Sequence, residues 1–287
     1  MQHLIFDFTN TYPEDLQSAL PGAVRIDMTD LSGTDMYCDD AAQEEILRRI
    51  SPYGIRGIHL LDSGNYHYMT ALLARQIAQP YRLVFFDHHT DCKSAMFDLL
   101  SCGSWAKVLL DTDPNLRKMI LVGPPRRSME ELGDAVRSYL DPDASPRKLF
   151  FLPEEDLQER GTEALKEILR EAAGQNPDLP LPVYLSIDKD ILSETELPTN
   201  WDQGQISMEL LEECLQIVTG DLASPSEEGK ASDAGKGAGE KPLLLGADIC
   251  GLLPLKDSGA LACDPREMDT NLRLIRLLSP FFPCDRS

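Results

Sequence analysis

One short segment combines carboxylate and imidazole side chains at the end of an apolar run. The run Leu83–Phe86 is followed at once by Asp87-His88-His89-Thr90-Asp91. Alternate side chains of an extended chain share a face, so we expect Asp87, His89 and Asp91 to point one way and His88 the other. Two carboxylates and an imidazole that converge at the carboxyl end of a strand make half of a metal site.

A second segment follows the same pattern. The run Val183–Ile187 leads into Asp188-Lys189-Asp190, where the two aspartates share a face and Lys189 turns away. If the two strand ends meet, four carboxylates and an imidazole crowd together, and four like charges cannot all stay ionised alone. Two divalent cations would offset those charges. Oxygen and imidazole ligands suit Mn²⁺, with zinc, iron and nickel as alternatives.

A third candidate ligand is His67. It follows another apolar run and a glycine, at the point where the pattern predicts the start of a helix. From that position it could supply a second imidazole to the cluster.

These residues need a framework that brings strand ends together, and the hydrophobic pattern predicts one. Most of the short apolar runs are continuous, which is typical of strands buried on both faces. The expected strands are Leu4–Phe8, Val24–Ile26, Gly57–Leu61, Leu83–Phe86, Met119–Val122, Lys148–Phe151, Val183–Ile187 and Leu243–Ala247. The expected helices are Asp40–Ile50, His67–Ala78, Ser104–Leu110, Ser128–Tyr139, Glu154–Ala173, Ser207–Thr219 and Arg266–Leu278. The alternation favours an α/β fold with a mostly parallel sheet of about eight strands, either open or closed into a barrel.

The motifs resemble those of the ureohydrolase family, the arginases and agmatinases. The family's Asp-Ala-His-x-Asp corresponds to Asp87–Asp91, its Ser-x-Asp-x-Asp to Ser186–Asp190 and its Gly-Gly-Asp-His to Gly64–His67. The similarity extends roughly from Ile58 to Leu278. It implies an arginase/deacetylase-like fold, a three-layer α/β/α sandwich around the mostly parallel sheet of about eight strands.

The resemblance also implies two Mn²⁺ ions per chain, with a water or hydroxide between them. Each ion would take one histidine and one aspartate of its own and share two further aspartates with its neighbour. The separate pairs are His67 with Asp91 and His89 with Asp190, and the shared aspartates are Asp87 and Asp188. Two cations lower the pKa of a bound water enough to give hydroxide near neutral pH. Such a hydroxide could attack a guanidinium, amidine or amide carbon.

Two positions depart from the family pattern. Agmatinases read Ser-His-Gly where this chain reads Ser101-Cys102-Gly103, so Cys102 could replace a histidine that moves protons in catalysis. Near the last strand, Gly251 stands where the family carries a Glu that grips the guanidinium. Without that carboxylate, a cationic guanidinium loses its counter-ion, which argues against arginase or agmatinase activity proper.

Five residues are candidates for contact with the substrate. Asp202 could replace the missing Glu as a catalytic partner for a cation, and the neighbouring Trp201 could pack over that cation. Arg126 and its neighbour Arg127 follow another strand and could bind a substrate carboxylate in a fork. His88 turns away from the metal ligands, either as a partner that orients them or as a group that faces the substrate.

The overall charge argues against two classes of partner. The chain of 287 residues carries 48 acidic and 27 basic residues, a formal charge of −21. A surface that negative repels nucleic acid and anionic lipid, so we expect neither as a partner. No apolar run approaches the roughly 20 residues of a membrane helix. We expect a small-molecule substrate, and the resemblance implies assembly into a homo-oligomer.

The cysteines and one polar segment complete the expectations. Seven cysteines, an odd number without a CxxC pair, fit free thiols in a reducing cytoplasm, and the first residues lack the features of a signal peptide. Residues 221–242 have no large apolar side chains after Leu222 and no period, which predicts a disordered loop insertion within a single domain of residues 1–287.

The sequence therefore predicts a dinuclear manganese hydrolase that acts on a non-peptide carbon–nitrogen bond of a guanidino, ureido, formimino or related small molecule. One alternative is a zinc-type deacetylase of acylated amines. Another is a metal-binding descendant of the ureohydrolase fold without catalysis.

Overall fold

A parallel sheet of eight strands organises the computed structural model. The structure describes residues 2–13, 16–130, 132–141, 147–174, 181–220, 222, 243–260 and 262–283. Within these ranges ten strands are assigned, namely β1 Leu4–Asp7, β2 Val24–Asp27, β3 Tyr37–Cys38, β4 Ile58–Leu60, β5 Tyr81–Phe86, β6 Leu100–Ser101, β7 Leu116–Val122, β8 Leu149–Leu152, β9 Val183–Asp188 and β10 Leu244–Cys250. The sheet order is β2-β1-β4-β10-β9-β5-β7-β8, and each neighbouring pair is parallel.

The sequence predicted all eight strands of this sheet, with small shifts at their ends, and the α/β class is confirmed. The remaining pair, β3 and β6, forms a separate antiparallel ribbon that the apolar pattern did not indicate. Strands of two residues are too short to leave a periodic signal.

Helices cover both faces of the sheet, as a three-layer sandwich requires. They are α1 Leu16–Ala19, α2 Asp40–Ile50, α3 Met69–Ala74, α4 Trp105–Thr112, α5 Asp134–Leu140, α6 Glu154–Arg160, α7 Thr162–Ala173, α8 Met208–Gly220, α9 Leu255–Ser258 and α10 Pro265–Leu278. One core layer contains side chains from α1, α7, α8 and α10, and the other contains side chains from α2, α3, α4 and α5. Along β5, Val84 and Phe86 enter the first layer, while Leu83 and Phe85 enter the second.

Three predicted helices differ from the structure for local reasons. The segment Glu154–Ala173 is two helices because Gly161 interrupts it at φ 56°, a conformation that glycine adopts without strain. The helix expected over Ser128–Tyr139 begins only at Asp134, after Gly133 in an extended conformation. The helix expected from His67 is the short α3, preceded by a 3₁₀ turn.

Two further observations bear on the sequence predictions. Every helix in the described ranges is too short or too polar to cross a membrane. The predicted loop insertion at residues 221–242 lies outside the described residues, Leu222 excepted. The disorder of that segment stays a prediction.

Candidate metal centre

The candidate ligands gather where four adjacent strands end. In the middle of the sheet, β4, β10, β9 and β5 lie side by side with their carboxyl ends at one edge. Asp87 follows β5, Asp188 ends β9 and Cys250 ends β10. His67 reaches the same edge through the 3₁₀ turn after β4. This edge is where parallel α/β sheets usually bind ligands.

One end of the centre is formed around His67, whose side chain is only 1% exposed. Its Nδ1 lies 3.2 Å from an Asp87 oxygen, 3.1 Å from an Asp91 oxygen and 3.4 Å from an Asp188 oxygen. Asp91 reaches this position with φ 49°, in the left-handed region that aspartate tolerates better than most residues. We call the set His67, Asp87, Asp91 and Asp188 the buried end.

The other end is formed around His89, whose side chain is 24% exposed. Its Nδ1 lies 2.8 Å from Asp190 and 3.6 Å from Asp87, and its Nε2 lies 2.9 Å from Asp202. We call the set His89, Asp190 and Asp87 the open end. Asp87 contributes to both ends.

The donor atoms fit metal ions. Two sets of one histidine and two aspartates place their ligand atoms within 4.8 Å of one another: His67, Asp87 and Asp91, and Asp87, His89 and Asp190. His67 Nδ1 and Asp87 Oδ2 are fully buried and have no hydrogen-bond partner. Buried polar atoms are rarely left unpaired, and a cation between these atoms would satisfy both.

The electrostatics of the centre are those of a negative cluster that attracts cations. Burial raises the pKa of Asp188 and of Asp190, and the neighbouring carboxylates raise both further. Burial alone would lower the pKa of His67, but Cys250, Asp87 and Asp91 raise it well above its ordinary value. Protons and divalent cations therefore compete for the same atoms.

A buried hydrogen-bond chain orients His67 from behind. Its Nε2 lies 2.9 Å from the Ser186 hydroxyl, which in turn donates to Asp248 at 2.5 Å. Such a chain fixes which ring nitrogen faces the carboxylates. Lys189, predicted to turn away, does so and pairs with the buried carboxylate of Glu267.

A cleft of about 340 Å³ opens over the two ends. Five of the sequence-predicted substrate or catalytic residues line it, namely His88, Cys102, Arg127, Trp201 and Asp202. The Trp201 indole donates to Asn65, which fixes the ring over the open end, 5.7 Å from the His89 ring. His88 approaches Glu154 at 3.7 Å and Asp202 at 3.8 Å.

Arginine 126 does not line the cleft. Its guanidinium pairs with Asp156 at 2.5 Å on the exposed surface. The next residue, Arg127, lines the cleft instead, together with Lys93. A 3₁₀ turn over Arg126–Met129 points the two arginines in different directions, and the residue pattern did not predict that turn. The structure thus favours Arg127 over Arg126 as a contact for substrate.

The structure shows the surroundings of the two positions that depart from the family pattern, Cys102 and Gly251. Burial raises the pKa of Cys102 to about 12, so its thiol stays protonated near neutral pH. Gly251 has φ 94°, and a Cβ built on it would lie 2.7 Å from an Asp188 oxygen. A glutamate at position 251 would need a different backbone.

Comparisons with solved structures identify the fold. Proclavaminate amidinohydrolase from Streptomyces clavuligerus aligns over 97% of this chain and 92% of its own, with a TM-score of 0.61 and 17% identity. Formimidoylglutamase from Bacillus subtilis covers 97% and 87%, with a TM-score of 0.62 and 14% identity. Formiminoglutamase from Trypanosoma cruzi, solved with Mn²⁺, covers 98% and 93%, with a TM-score of 0.60 and 13% identity. The chain therefore has the ureohydrolase fold, as the motifs predicted.

Sequence comparison adds little about function. An uncharacterised protein from Thermotoga maritima is 28% identical over 197 residues, which span 68% of this chain and 58% of that relative. No family model matches the chain.

Sequence reasoning missed several residues near the centre. Asp248 and Cys250 lie two residues apart on β10, so they share a face. That Asp-x-Cys spacing at the end of an apolar run was the available signal. Glu154 carried no comparable signal, because nothing in its local pattern indicates a cleft.

Proposed function

We propose that the chain is a metal-dependent hydrolase of a small molecule with a non-peptide carbon–nitrogen bond, and that it uses two divalent cations, Mn²⁺ foremost. The observation that carries the proposal is the pair of ligand sets that share Asp87, with His67 Nδ1 and Asp87 Oδ2 buried and unpaired between them. Six candidate ligands are more than the one zinc ion of a deacetylase would need, which supports two ions.

The proposed ions would be held by His67, Asp91, His89, Asp190 and the two shared aspartates, Asp87 and Asp188. Their chemistry would be the activation of a water near neutral pH and the polarisation of the reacting carbon. The chain's own residues supply the rest. Trp201 closes one side of the cleft, and Asp202 accepts a hydrogen bond from His89 or, when the substrate is bound, from the substrate's nitrogen.

The proton for the leaving nitrogen has two sources in the cleft. Burial lowers the pKa of His88, so its imidazole is neutral near pH 7 and carries one ring proton. The Cys102 thiol also lines the cleft and holds its proton at that pH. We propose His88 as the carrier: its neutral imidazole accepts a proton from the attacking water and, as imidazolium, passes it to the leaving nitrogen. Its ring lines the cleft and lies 3.8 Å from Asp202.

The charged side chains that line the cleft limit the class of substrate that it can bind. Arg127 and Lys93 line it, while position 251 offers no carboxylate for a guanidinium. We propose a guanidino, ureido, formimino or related compound that carries an anionic group for Arg127 to bind. Asp202 is the cleft carboxylate available to a cationic reacting group.

Elemental mass spectrometry of protein purified without chelator and supplied with Mn²⁺ tests the centre. We expect about two ions per chain, and none or one in Asp188→Ala. Asp30→Ala, which changes an exposed aspartate far from the centre, is the matched control and should keep both ions.

Activity is then screened with guanidino, ureido, formimino and acetylamino compounds, with and without a carboxylate. Metal-dependent release of urea, formamide or ammonia supports the proposal. One zinc ion with acetate release would assign a deacetylase, and two ions with no product from any compound would assign a non-catalytic metal protein. Full activity in Asp188→Ala would overturn the proposed role of the centre.

A further inference from the structure

A cysteine thiol joins the buried end of the centre. Cys250, at the carboxyl end of β10, is 1% exposed, and its Sγ lies 3.1 Å from an Asp188 oxygen. Its sulfur, His67 Nδ1 and that carboxylate all lie within 4.8 Å of one another. The unpaired Nδ1 of His67 therefore faces a sulfur as well as carboxylate oxygens.

Two different donor sets share His67. The first contains only oxygen partners, Asp87 and Asp91, and the second contains Asp188 and Cys250. Oxygen donors suit Mn²⁺ and Mg²⁺, whereas a thiolate favours softer ions such as Zn²⁺, Co²⁺ or Fe²⁺. The same histidine can therefore serve a hard ion through one set and a softer ion through the other.

We propose that Cys250 is a metal ligand, and that His67, Asp188 and Cys250 together bind a softer divalent cation than the open end, whose set of His89, Asp190 and Asp87 contains no sulfur. The proposal rests on the proposed metal centre and adds a ligand and a metal preference to it. Binding through sulfur displaces the thiol proton to solvent and forms one metal–sulfur bond, with no change of oxidation state. Zn²⁺ is the ion we expect to be preferred at this position.

The position of Cys250 separates it from the other thiols near the centre. Cys92 and Cys102 are also buried within reach of the Asp87–Asp91 segment, but neither belongs to a described set of mutually close ligand atoms. Gly251 brings the backbone after Cys250 against Asp188, which holds the sulfur beside that carboxylate. The thiol donates a hydrogen bond to the Asp188 carboxylate, and a cation bound between the sulfur and that oxygen would replace the shared proton.

Cobalt substitution tests the proposal through absorption rather than activity. Metal-free protein is titrated with Co²⁺, and sulfur-to-cobalt charge transfer is followed in the near ultraviolet, with bound cobalt counted by elemental analysis. We expect a charge-transfer band in the wild type that Cys250→Ser and Cys250→Ala lack. Cys102→Ser is the matched control, since it changes a neighbouring thiol and should keep the band.

Metal affinity provides the second readout. By isothermal titration of the metal-free protein, Cys250→Ala should weaken Zn²⁺ binding by about tenfold or more and change Mn²⁺ binding much less, by about twofold. If both variants fail to fold, ¹¹³Cd NMR of the wild type answers the question, because a sulfur ligand shifts the cadmium resonance far from the range of purely oxygen and nitrogen sites.

The outcomes separate this proposal from the one on which it rests. Bound cobalt without a charge-transfer band, or a cadmium resonance typical of oxygen and nitrogen ligands, would overturn the role of Cys250 and leave the metal centre intact. A protein that binds no metal at all would overturn both. An unchanged band in Cys250→Ser would assign the sulfur ligand to another residue and would also contradict the proposal.

Discussion

The two ends of the candidate metal centre are built from the same residue types but in different surroundings. His67 is 1% exposed, contacts Asp87, Asp91 and Asp188, and is oriented from behind by Ser186. His89 is 24% exposed and reaches Asp202, whose side chain is 74% exposed at the cleft. One histidine is fixed within the sheet edge, and the other faces the space where a substrate would bind.

The difference in exposure between His67 and His89 suggests that the two ends have different roles. A ligand surrounded by buried partners holds its geometry whatever enters the cleft, so the buried end is suited to anchoring an ion. At the open end, Asp202 can exchange its bond to His89 for one to a substrate, because water and ligands reach it. Asp87 belongs to both ends. A substitution of Asp87 should therefore affect both ends, whereas a substitution of a residue that belongs to one end should affect that end alone.

Asp87→Ala should have the largest effect, because it removes the ligand common to both ends. We expect loss of both ions and a fall in turnover of about a thousandfold or more, since the metals supply several kcal/mol to the reaction. Elemental analysis and steady-state kinetics measure the two effects. If one ion stays bound at full occupancy, the ends are more independent than the shared aspartate indicates.

Ser186→Ala should weaken the buried end alone. It removes the hydroxyl that lies 2.9 Å from His67 Nε2 and leaves the Asp248 carboxylate without that donor. We expect a metal affinity lower by about 10- to 100-fold for one of the two ions. Ser186→Thr, which keeps the hydroxyl, is the control, and equal weakening of both ions would contradict the separation of the ends.

Metal binding should also depend on pH. The pKa values of Asp188 and Asp190 are raised by burial and by neighbouring carboxylates, so these groups keep their protons to a higher pH than ordinary aspartates. A raised carboxyl pKa stabilises the metal-free fold at low pH, and this contribution is lost as the pH rises through the folded-state value. Metal ions must displace those protons, so their affinity should fall as the pH is lowered.

Calorimetry in the presence and absence of Mn²⁺ between about pH 8 and pH 5 measures this effect. The increase in melting temperature caused by the metal should shrink steadily towards the acid side. A metal-induced increase that stays constant over that range would contradict the raised pKa values.

Asp202→Asn should have the smallest effect on the metals. Its side chain is mostly exposed, and exposed ion pairs contribute only about 0–1 kcal/mol. We expect both ions to remain, with metal affinity changed by a few-fold at most, while KM for a cationic substrate rises. A large loss of metal from the open end would show that Asp202 is part of the ligand set rather than a substrate contact.

The sequence predicted the sheet and indicated most of the side chains that lie together at the candidate centre, because both follow from the alternation of side chains along a strand. Continuous apolar runs marked the eight strands, and the two-residue period after Phe86 and Ile187 placed the aspartates on one face. His67 was predicted from its position after another apolar run and a glycine, and the resemblance then assigned it to one of two ions.

What the sequence could not predict depends on contacts between distant segments. The hydrogen bond from the Trp201 indole to Asn65 joins residues far apart in the chain. Arg126 and Arg127 are adjacent in sequence, and only the turn that carries them decides which one faces the cleft. The amphipathic period predicts one continuous helix over Glu154–Ala173. Gly161 divides it into two, because a single residue with a positive φ ends a helix without changing the hydrophobic period.

The glycine at position 251 has a consequence for how this chain could change. Its positive φ and the closeness of Asp188 exclude any side chain without movement of the backbone. Movement there would disturb a shared metal ligand and the neighbouring Cys250 together. A single codon change to glutamate would thus introduce a guanidinium-binding carboxylate only at the expense of the centre beside it. The specialisation of this cleft is therefore difficult to reverse by single steps, and any ancestor or descendant with a glutamate at this position should differ at several neighbouring positions as well.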